Sequence, residues 1–424
     1  MRVLKVVITA RAPLVFSERR PSDQFRPSTG YVPGAVIRGA LAQQFLDAGQ
    51  EGGEEFRLLF TGSDAPAFRN AYPALFSSGA AGSAFATSRP LPATAYSCKT
   101  DPGLRKVRGS LRGHGVFDGL IDRLCCESLG VSVPYLPRCN HEEHGGPGER
   151  VEAYDGRFYA LAPEGLLEVA VGSRLSTRVA VNRRRKVAEP QMLYSPHVLD
   201  EVTFDYAGDE KVVAETTFHG SVVVNDATHP LVEKWLPGLT HVGSGVARGF
   251  GRVAVRVEAE GADEVAGRVV KFNELIERRW KLWLETLSGE SAPEPQHGPG
   301  AGTFFSVTLM SDAILREDGW SPTMRLETGM LGDAGRNATL IRCYAAAAYR
   351  GGWNTAWRLP KDTELVARMG SVYVYHTSDT VDNASWPAAL RALEERGVGE
   401  RRREGFGAVR VCDDFHGMIQ EVGK

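Results

Sequence analysis

The chain has 424 residues, enough for two or three domains at roughly 100–200 residues each. Hydrophobic residues make up 42% and charged residues 24%, a composition that can bury a core and argues against a disordered chain. Fifty Lys and Arg against 52 Asp and Glu leave a formal net charge of -2, which excludes a histone-like polycation but not a local basic groove. No apolar run reaches the roughly 18 residues of a membrane span, so no membrane contact is expected. The opening MRVLKVVITARAPLVF reads as a strand and not as a signal peptide. A cytoplasmic location is therefore expected, with the six cysteines reduced.

The first element is the strand VLKVVITARAPLVF, 3–16. A polar loop, RRPSDQFRPSTG, carries Asp23 and leads to GAVIRGALAQQFLD, 34–47. There Val36, Ile37, Ala40, Leu41 and Phe45 share one helical face. Residues 50–160 fit no regular unit, hold four of the six cysteines and read as an insertion. Strands are predicted at 166–172, 202–208 and 216–224, and a helix at 228–236. The glycine-rich HVGSGVARGFGRVAV, 241–255, follows. A longer helix over 261–287, with Val269, Phe272, Ile276, Trp280 and Trp283, is expected to pack two units together. Pro, Gly and Ser mark 286–302 as a linker.

The second half repeats the pattern. It opens on the strand FFSVTLMSDAILRE, 304–317. The Ala-rich 337–349 takes the place of the first helix, with Cys343 inside it. A strand at 371–377, a helix at 386–396 and a second glycine-rich segment, GVGERRREGFGAVRV at 397–411, complete it. Aligned without a gap, Gly243 meets Gly399, Gly249 meets Gly405, Phe250 meets Phe406 and Gly251 meets Gly407. Two such matches at the ends of two similar halves argue for duplication. Strand, helix, strands, helix, strand is the order of a ferredoxin-like unit. The expected fold is α+β, with two ferredoxin-like (RRM-like) units. The first spans 1–258 and holds the insertion, 259–302 connects, and 303–424 forms the second.

Glycines in each loop permit positive φ and close backbone approach. Arg248 and Arg252 flank Gly243, Gly245, Gly249 and Gly251 in the first loop; Arg401, Arg402 and Arg403 precede Gly405 and Gly407 in the second. Such loops fit phosphate binding. They also fit a tight turn that closes a sheet, with solvated arginines. They are neither a Walker loop, which ends Gly-Lys-Ser/Thr, nor a Rossmann fingerprint, since the glycines precede a strand. Arg174, Arg178, Arg183, Arg184, Arg185 and Lys186 form a basic cluster in a net-neutral chain, with Met192 and Tyr194 beyond it. Phosphate contacts of this kind give salt-dependent affinity without sequence information. Arg38, one turn inside the first helix, fits an anion site or a surface ion pair.

Together, YVPGAVIRGALA at 31–42, the two GxGxxxGFGxV-type loops and RVAVNRRRKVAEPQMLYSPHVLDEVTFDY at 178–206 resemble the RAMP (repeat-associated mysterious protein) superfamily. These are the RNA-binding subunits of CRISPR effector complexes. The two-unit length, the cysteine-bearing insertion and GGW at 351–353 are most similar to the large RAMP subunit of type III-D complexes. The resemblance implies a guide-RNA-binding structural subunit of a type III antiviral ribonucleoprotein. Its partners would be guide RNA, target RNA paired to that guide, and the other RAMP and large subunits. The segment 178–206 would be the extended hairpin that touches RNA.

In the insertion, Cys98, Cys125, Cys126, Cys139, His141 and His144 supply thiolates and imidazoles suited to a structural zinc that staples a loop-rich segment. One set is Cys98, Cys125 or Cys126, Cys139 and His144, with His141 replacing His144 as an alternative. Free cysteines in a solvated loop are the other reading. Two enzymatic alternatives differ in class. The resemblance implies the first, an endoribonuclease using Asp23 on target RNA, with a divalent metal, or a histidine such as His114 in guide processing. A small-molecule enzyme would need a cofactor motif that is not found.

Overall fold

The structure is a computed structural model. It describes residues 1–16, 25–26, 28–79, 82–104, 113–130, 135–139, 141, 148–155, 158–162, 165–182, 184–207, 210–261, 264–286, 298–354 and 359–420. Alternation in β1 (Arg2–Ala10) turns Leu4, Val6, Ile8 and Ala10 into one core. Against them lies α1 (Gly34–Asp47), whose Ile37, Leu41 and Phe45 recur every four residues and are buried. Further along come α2 (Leu120–Ser128), β2 (Thr217–Val224), α3 (His229–Trp235) and β3 (Val253–Ala259). β1 pairs antiparallel with both β2 and β3. The short strands Ala67–Phe68 and Tyr72–Pro73 pair with β2 on its other side.

After the helix α4 (Val265–Thr286), the second half contributes β4 (Thr303–Leu309), β5 (Ala338–Tyr344), β6 (Val372–Thr377), α5 (Ser385–Arg396) and β7 (Val409–Val411). Its sheet runs β5–β6–β4–β7, all antiparallel. In both sheets the opening strand lies between the closing strand and the third. The chain is thus mixed α and β, with two principal antiparallel sheets and several small ones.

The first helix forms over the residues that its periodicity marks, and the helices expected at 228–236 and 386–396 form as α3 and α5. The Ala-rich 337–349 does not form a helix. It supplies β5 and the start of a strand at Ala347–Asn354, while a 3₁₀ segment over Thr328–Gly335 precedes it. Pairing of β5 with β6 overrides the helical preference of alanine. Cys343 consequently lies exposed on a strand. Two strands from the segment read as insertion, Ala67–Phe68 and Tyr72–Pro73, belong to the first sheet. The long excursion between the strands of that sheet begins after them and runs to β2.

The helix α4, expected to pack two units together, lies on the second sheet and against α2 of the excursion. Phe272, Ile276 and Trp280 share a core with Phe304, Val307 and Leu309 of β4 and with Leu120, Leu124 and Cys125 of α2. Asn273 fastens it by bonding both the carbonyl and the N–H of Phe304, at 2.8 and 2.9 Å. α2 is held by a buried ion pair, Arg279 Nε to Asp122 Oδ1 at 2.6 Å, and Trp283 donates to the same oxygen at 3.0 Å. The excursion of the first half is thereby anchored to the second.

Removing one partner of a buried ion pair strands the other charge. Asp122→Ala should lower unfolding stability by about 3–5 kcal/mol in denaturant titration. A loss below about 1 kcal/mol, the scale of an exposed pair, would show that this contact does not anchor α2.

Candidate nucleic-acid interface and metal-ligand cluster

The two glycine loops are equivalent in backbone detail. Gly243, Gly245, Gly249 and Gly251 all have positive φ, as do Gly399, Arg401, Gly405 and Gly407 at the aligned positions. A Cβ on Gly251 would collide with the Val242 carbonyl, and one on Gly407 with the Val398 carbonyl. Each loop then bonds the segment after the opening strand of its own half. Ser244 N–H donates to Val15 at 3.0 Å and Gly251 N–H to Pro13 at 2.9 Å. Glu400 N–H donates to Ile314 at 3.0 Å and Gly407 N–H to Asp312 at 2.9 Å.

A hairpin arises at the same place in each half. In the first, Arg178–Asn182 pairs with Val187–Leu199, and Leu199 exchanges hydrogen bonds with Leu14. In the second, Ala347–Asn354 pairs with Leu359–Ala367, and Ala367 exchanges hydrogen bonds with Ala313. The second hairpin was not recognised in the sequence, where Ala-rich composition masked it and only GGW drew notice.

The first hairpin seats on the first loop. Arg178 donates to the Arg248 carbonyl and stacks 4.1 Å from the centroid of Phe250, which is buried with Val15 and Val198. Arg174 is tied to Asp200 and Glu201 at the hairpin base. At the turn, the Asn182 carboxamide accepts the N–H groups of Arg184 and Arg185, at 3.1 Å each, and Lys186 takes positive φ. Arg184, Arg185 and Lys186 are exposed, and so are Val179, Val181 and Val187. Arg248 and Arg252 are exposed at the base. Basic head groups and apolar stems thus share one projecting arm. Asp23, Arg183 and the side chains of Met192 and Tyr194 lie outside the described residues.

The second loop is turned inward. Arg401 makes a bidentate pair with Glu404, which also takes Lys361 at 2.7 Å. Arg403 donates to the carbonyls of Gly62 and Ser63 in the first half. Arg402 is exposed. Gly405 packs onto Gly34 and Asn70, and Gly34 N–H donates to Asn70 Oδ1 at 2.9 Å. The start of α1 is therefore covered by the second half. Arg38, read as an anion contact or a surface pair, is half-buried and donates to the Phe60 carbonyl at 2.7 Å, and burial lowers its pKa.

In the excursion, Cys98, His114 and Cys139 bring their ligand atoms within 4.8 Å of one another. Cys98 ends the strand Ala95–Cys98, and His114 precedes Val116–Asp118, which pairs with it. The His141 ring stacks on His114 at 4.0 Å and lines the same cavity. His114 Nδ1 faces Cys139 Sγ at 3.5 Å, and its Nε2 lies 3.8 Å from Asp101. Burial opposes charge on Cys98, but hydrogen bonds from Asp101, Thr100 and His114 outweigh it and bring the thiol to about 6. The cluster can hold a metal ion.

Cys125 and Cys126 are not part of it. Both are buried on α2, where Cys125 faces Ile276 of α4 and burial raises both thiols. His144 lies outside the described residues. His114, read as a loop histidine or an acid–base candidate, is the ligand that the sequence reading missed. Its spacing, 16 residues after Cys98 and 25 before Cys139, matches no paired motif.

No protein-family model matches the chain, and no curated relative is found. Solved structures do match. A chain of the type III-B Cmr-beta complex, bound to cognate target RNA and AMPPnP, has a TM-score of 0.36 at 10% identity, covering 87% of this chain and 86% of that one. Oligomeric Cmr4 from Pyrococcus furiosus gives 0.25 at 12% identity, covering 62% and 100%. A Cas6 product complex gives 0.26 at 16% identity, covering 50% and 81%. The structural neighbours thus include Cmr subunits and Cas6. Among the described residues no helix is long and apolar enough to cross a membrane.

Burial opposes charge on Glu404, yet its bonds to Arg401 and Lys361 hold the carboxyl at about 2, against an ordinary 4.5. A depressed carboxylate stabilises the fold above its ordinary pKa and loses that contribution as pH falls through the folded value. The stability gap between the wild type and Glu404→Gln should therefore narrow as pH falls from about 4.5 to about 2. A gap that stays constant across that window would contradict the pairing.

Proposed function

We propose that the chain is a guide-RNA-binding structural subunit of a type III CRISPR effector complex, built from two ferredoxin-like RAMP units. The observation that carries this reading is the first hairpin. It is locked at its base onto a glycine loop by Arg178 and Phe250, and it projects Arg184, Arg185 and Lys186 into solvent. A rigid base costs little ordering on binding, and exposed guanidinium forks match phosphate oxygens. Exposed Val179, Val181 and Val187 on the same arm offer apolar contact to bases or to a neighbouring subunit. The strand order closing–opening–third–second in both sheets is that of the ferredoxin-like unit and supports the two-unit reading. In this reading the RNA's sequence is read by base pairing with the guide, and the protein binds backbone.

Other parts of the chain fit a structural role. In the second loop Arg403 serves the junction between halves and Arg401 is paired within the loop, which leaves Arg402 exposed, so RNA contact is assigned chiefly to the first hairpin, with Arg248 and Arg252 beside its base. The Cys98, His114 and Cys139 cluster is assigned a structural zinc, since thiolate and imidazole donors suit that ion. A bound zinc would supply cross-linking of segments that share little apolar core.

The test is RNA binding over a salt series. Each single-strand phosphate contact contributes about 0.7 to the slope of log K against log salt. Replacing Arg184, Arg185 and Lys186 together by Ala should reduce that slope by about 2 and weaken binding. Unchanged slope and affinity would remove the hairpin from the interface.

A further inference from the structure

We infer that the metal ion assigned to Cys98, His114 and Cys139 acts as a latch, fixing the C-terminal segment of the second half onto the excursion of the first. This rests on the metal reading above and adds a partner segment and a consequence to it.

The ligands come from separate stretches of chain. Cys98 closes one strand, His114 opens the approach to the next, and Cys139 lies in the segment leading to Val151–Ala153. These three strands form one small sheet with Ala95–Cys98 in the middle. Around the ligands the apolar cluster among the described residues is Cys98, Cys139 and Val151, flanked by Tyr96 and Phe117, while Ala95 and Val116 of the same strands pack with Leu91, Tyr159 and Phe415. Two of the three buried members around the ligands are thiols. That end of the sheet holds little apolar area, and a metal is the ordinary remedy. Two sulfurs and an imidazole nitrogen are donors that zinc prefers, and the His141 ring is stacked on His114 beside them. Asp101, near the far nitrogen of His114, is placed as an orienting carboxylate.

The tail beyond β7 lies on this sheet. Asp118 N–H donates to the Met418 carbonyl at 2.6 Å, and Gln420 Nε2 donates to the Arg138 carbonyl at 2.6 Å. His416 pairs with the Asp118 carboxylate, and its other ring nitrogen lies 3.3 Å from Thr308 of β4. Phe415 packs with Leu91, Ala95 and Tyr159. The tail thus grips residue 118, four after one ligand, and residue 138, one before another. Both grips depend on the relative positions of the 98, 114 and 139 segments, which strand pairing holds and a bound metal would fix further. The second sheet is then fastened to the excursion twice, once through α2 and α4 and once through the tail.

The test uses the full-length protein and zinc alone. Competition with a chromophoric chelator should show one tightly bound zinc per chain. Cys125→Ser and Cys126→Ser should leave it in place, whereas Cys98→Ser or His114→Ala should weaken it at least tenfold. Hydrogen exchange of the wild type is then compared with and without zinc, which needs no variant to fold. Zinc removal should speed exchange at 413–420 at least tenfold while leaving β1 and β2 unchanged. Stoichiometric zinc with unchanged exchange at 413–420 overturns the latch and leaves the metal reading standing. Absence of stoichiometric zinc overturns both. Loss of zinc in Cys125→Ser with retention in His114→Ala overturns the ligand set.

Discussion

The fold depends on a backbone constraint met twice. After the last helix of each half, the chain must reverse and re-enter the sheet beside the opening strand. The reversal needs left-handed backbone at several positions within nine residues, and at Gly251 and Gly407 a side chain would strike a carbonyl two residues inside the same turn's entry. With glycine there, the loop closes against the segment that follows the opening strand, and β3 and β7 can pair. That same segment accepts the returning strand of each hairpin, at Leu14 and at Ala313. Sheet closure and hairpin docking therefore share one support.

Given the same support, the two halves diverge through side chains. The first loop presents a short exposed turn and lets Arg178 clamp the hairpin over Phe250. The second loop spends its charges inward, on Glu404, Lys361 and the carbonyls at 62 and 63. Arg69 reciprocates by capping the final turn of α5 through the carbonyls of Glu394 and Glu395, and Tyr72 donates to Met310. Of the two equivalent loops, the second contributes to an internal joint through Arg403 while Arg402 stays exposed, and the first keeps its outward face. A net charge of -2 conceals this division, because the basic residues of the first hairpin's turn are exposed while many elsewhere are paired.

Legibility in the sequence followed how local each cause was. The helix at 34–47 was readable because Ile37, Leu41 and Phe45 repeat at helical spacing and a Pro-Gly pair marks its start. The glycine loops were readable because positive φ demands glycine at fixed offsets. The basic cluster was readable from its charge run, and its hairpin form only from the resemblance. The strand at 338–344 was not, since only its pairing with β6 outweighs alanine's helical preference. Nor was the destination of α4: an apolar stripe says that a helix is buried but not against what. The metal cluster was half readable. Cys98 and Cys139 were found, but His114 joins them only through strand pairing. Cys125 carried an unread signal, since Leu120, Ile121, Leu124 and Cys125 fall on one helical face and mark it as core.

The most direct test of the central reading is recovery of the chain from its native cells with whatever it holds, followed by sequencing of the retained RNA. The account predicts a population of defined length that shares a constant repeat-derived end and co-purifies with further RAMP subunits. Protein recovered alone and free of RNA would contradict it, and the two like-ordered sheets and the basic hairpin would then serve some other end.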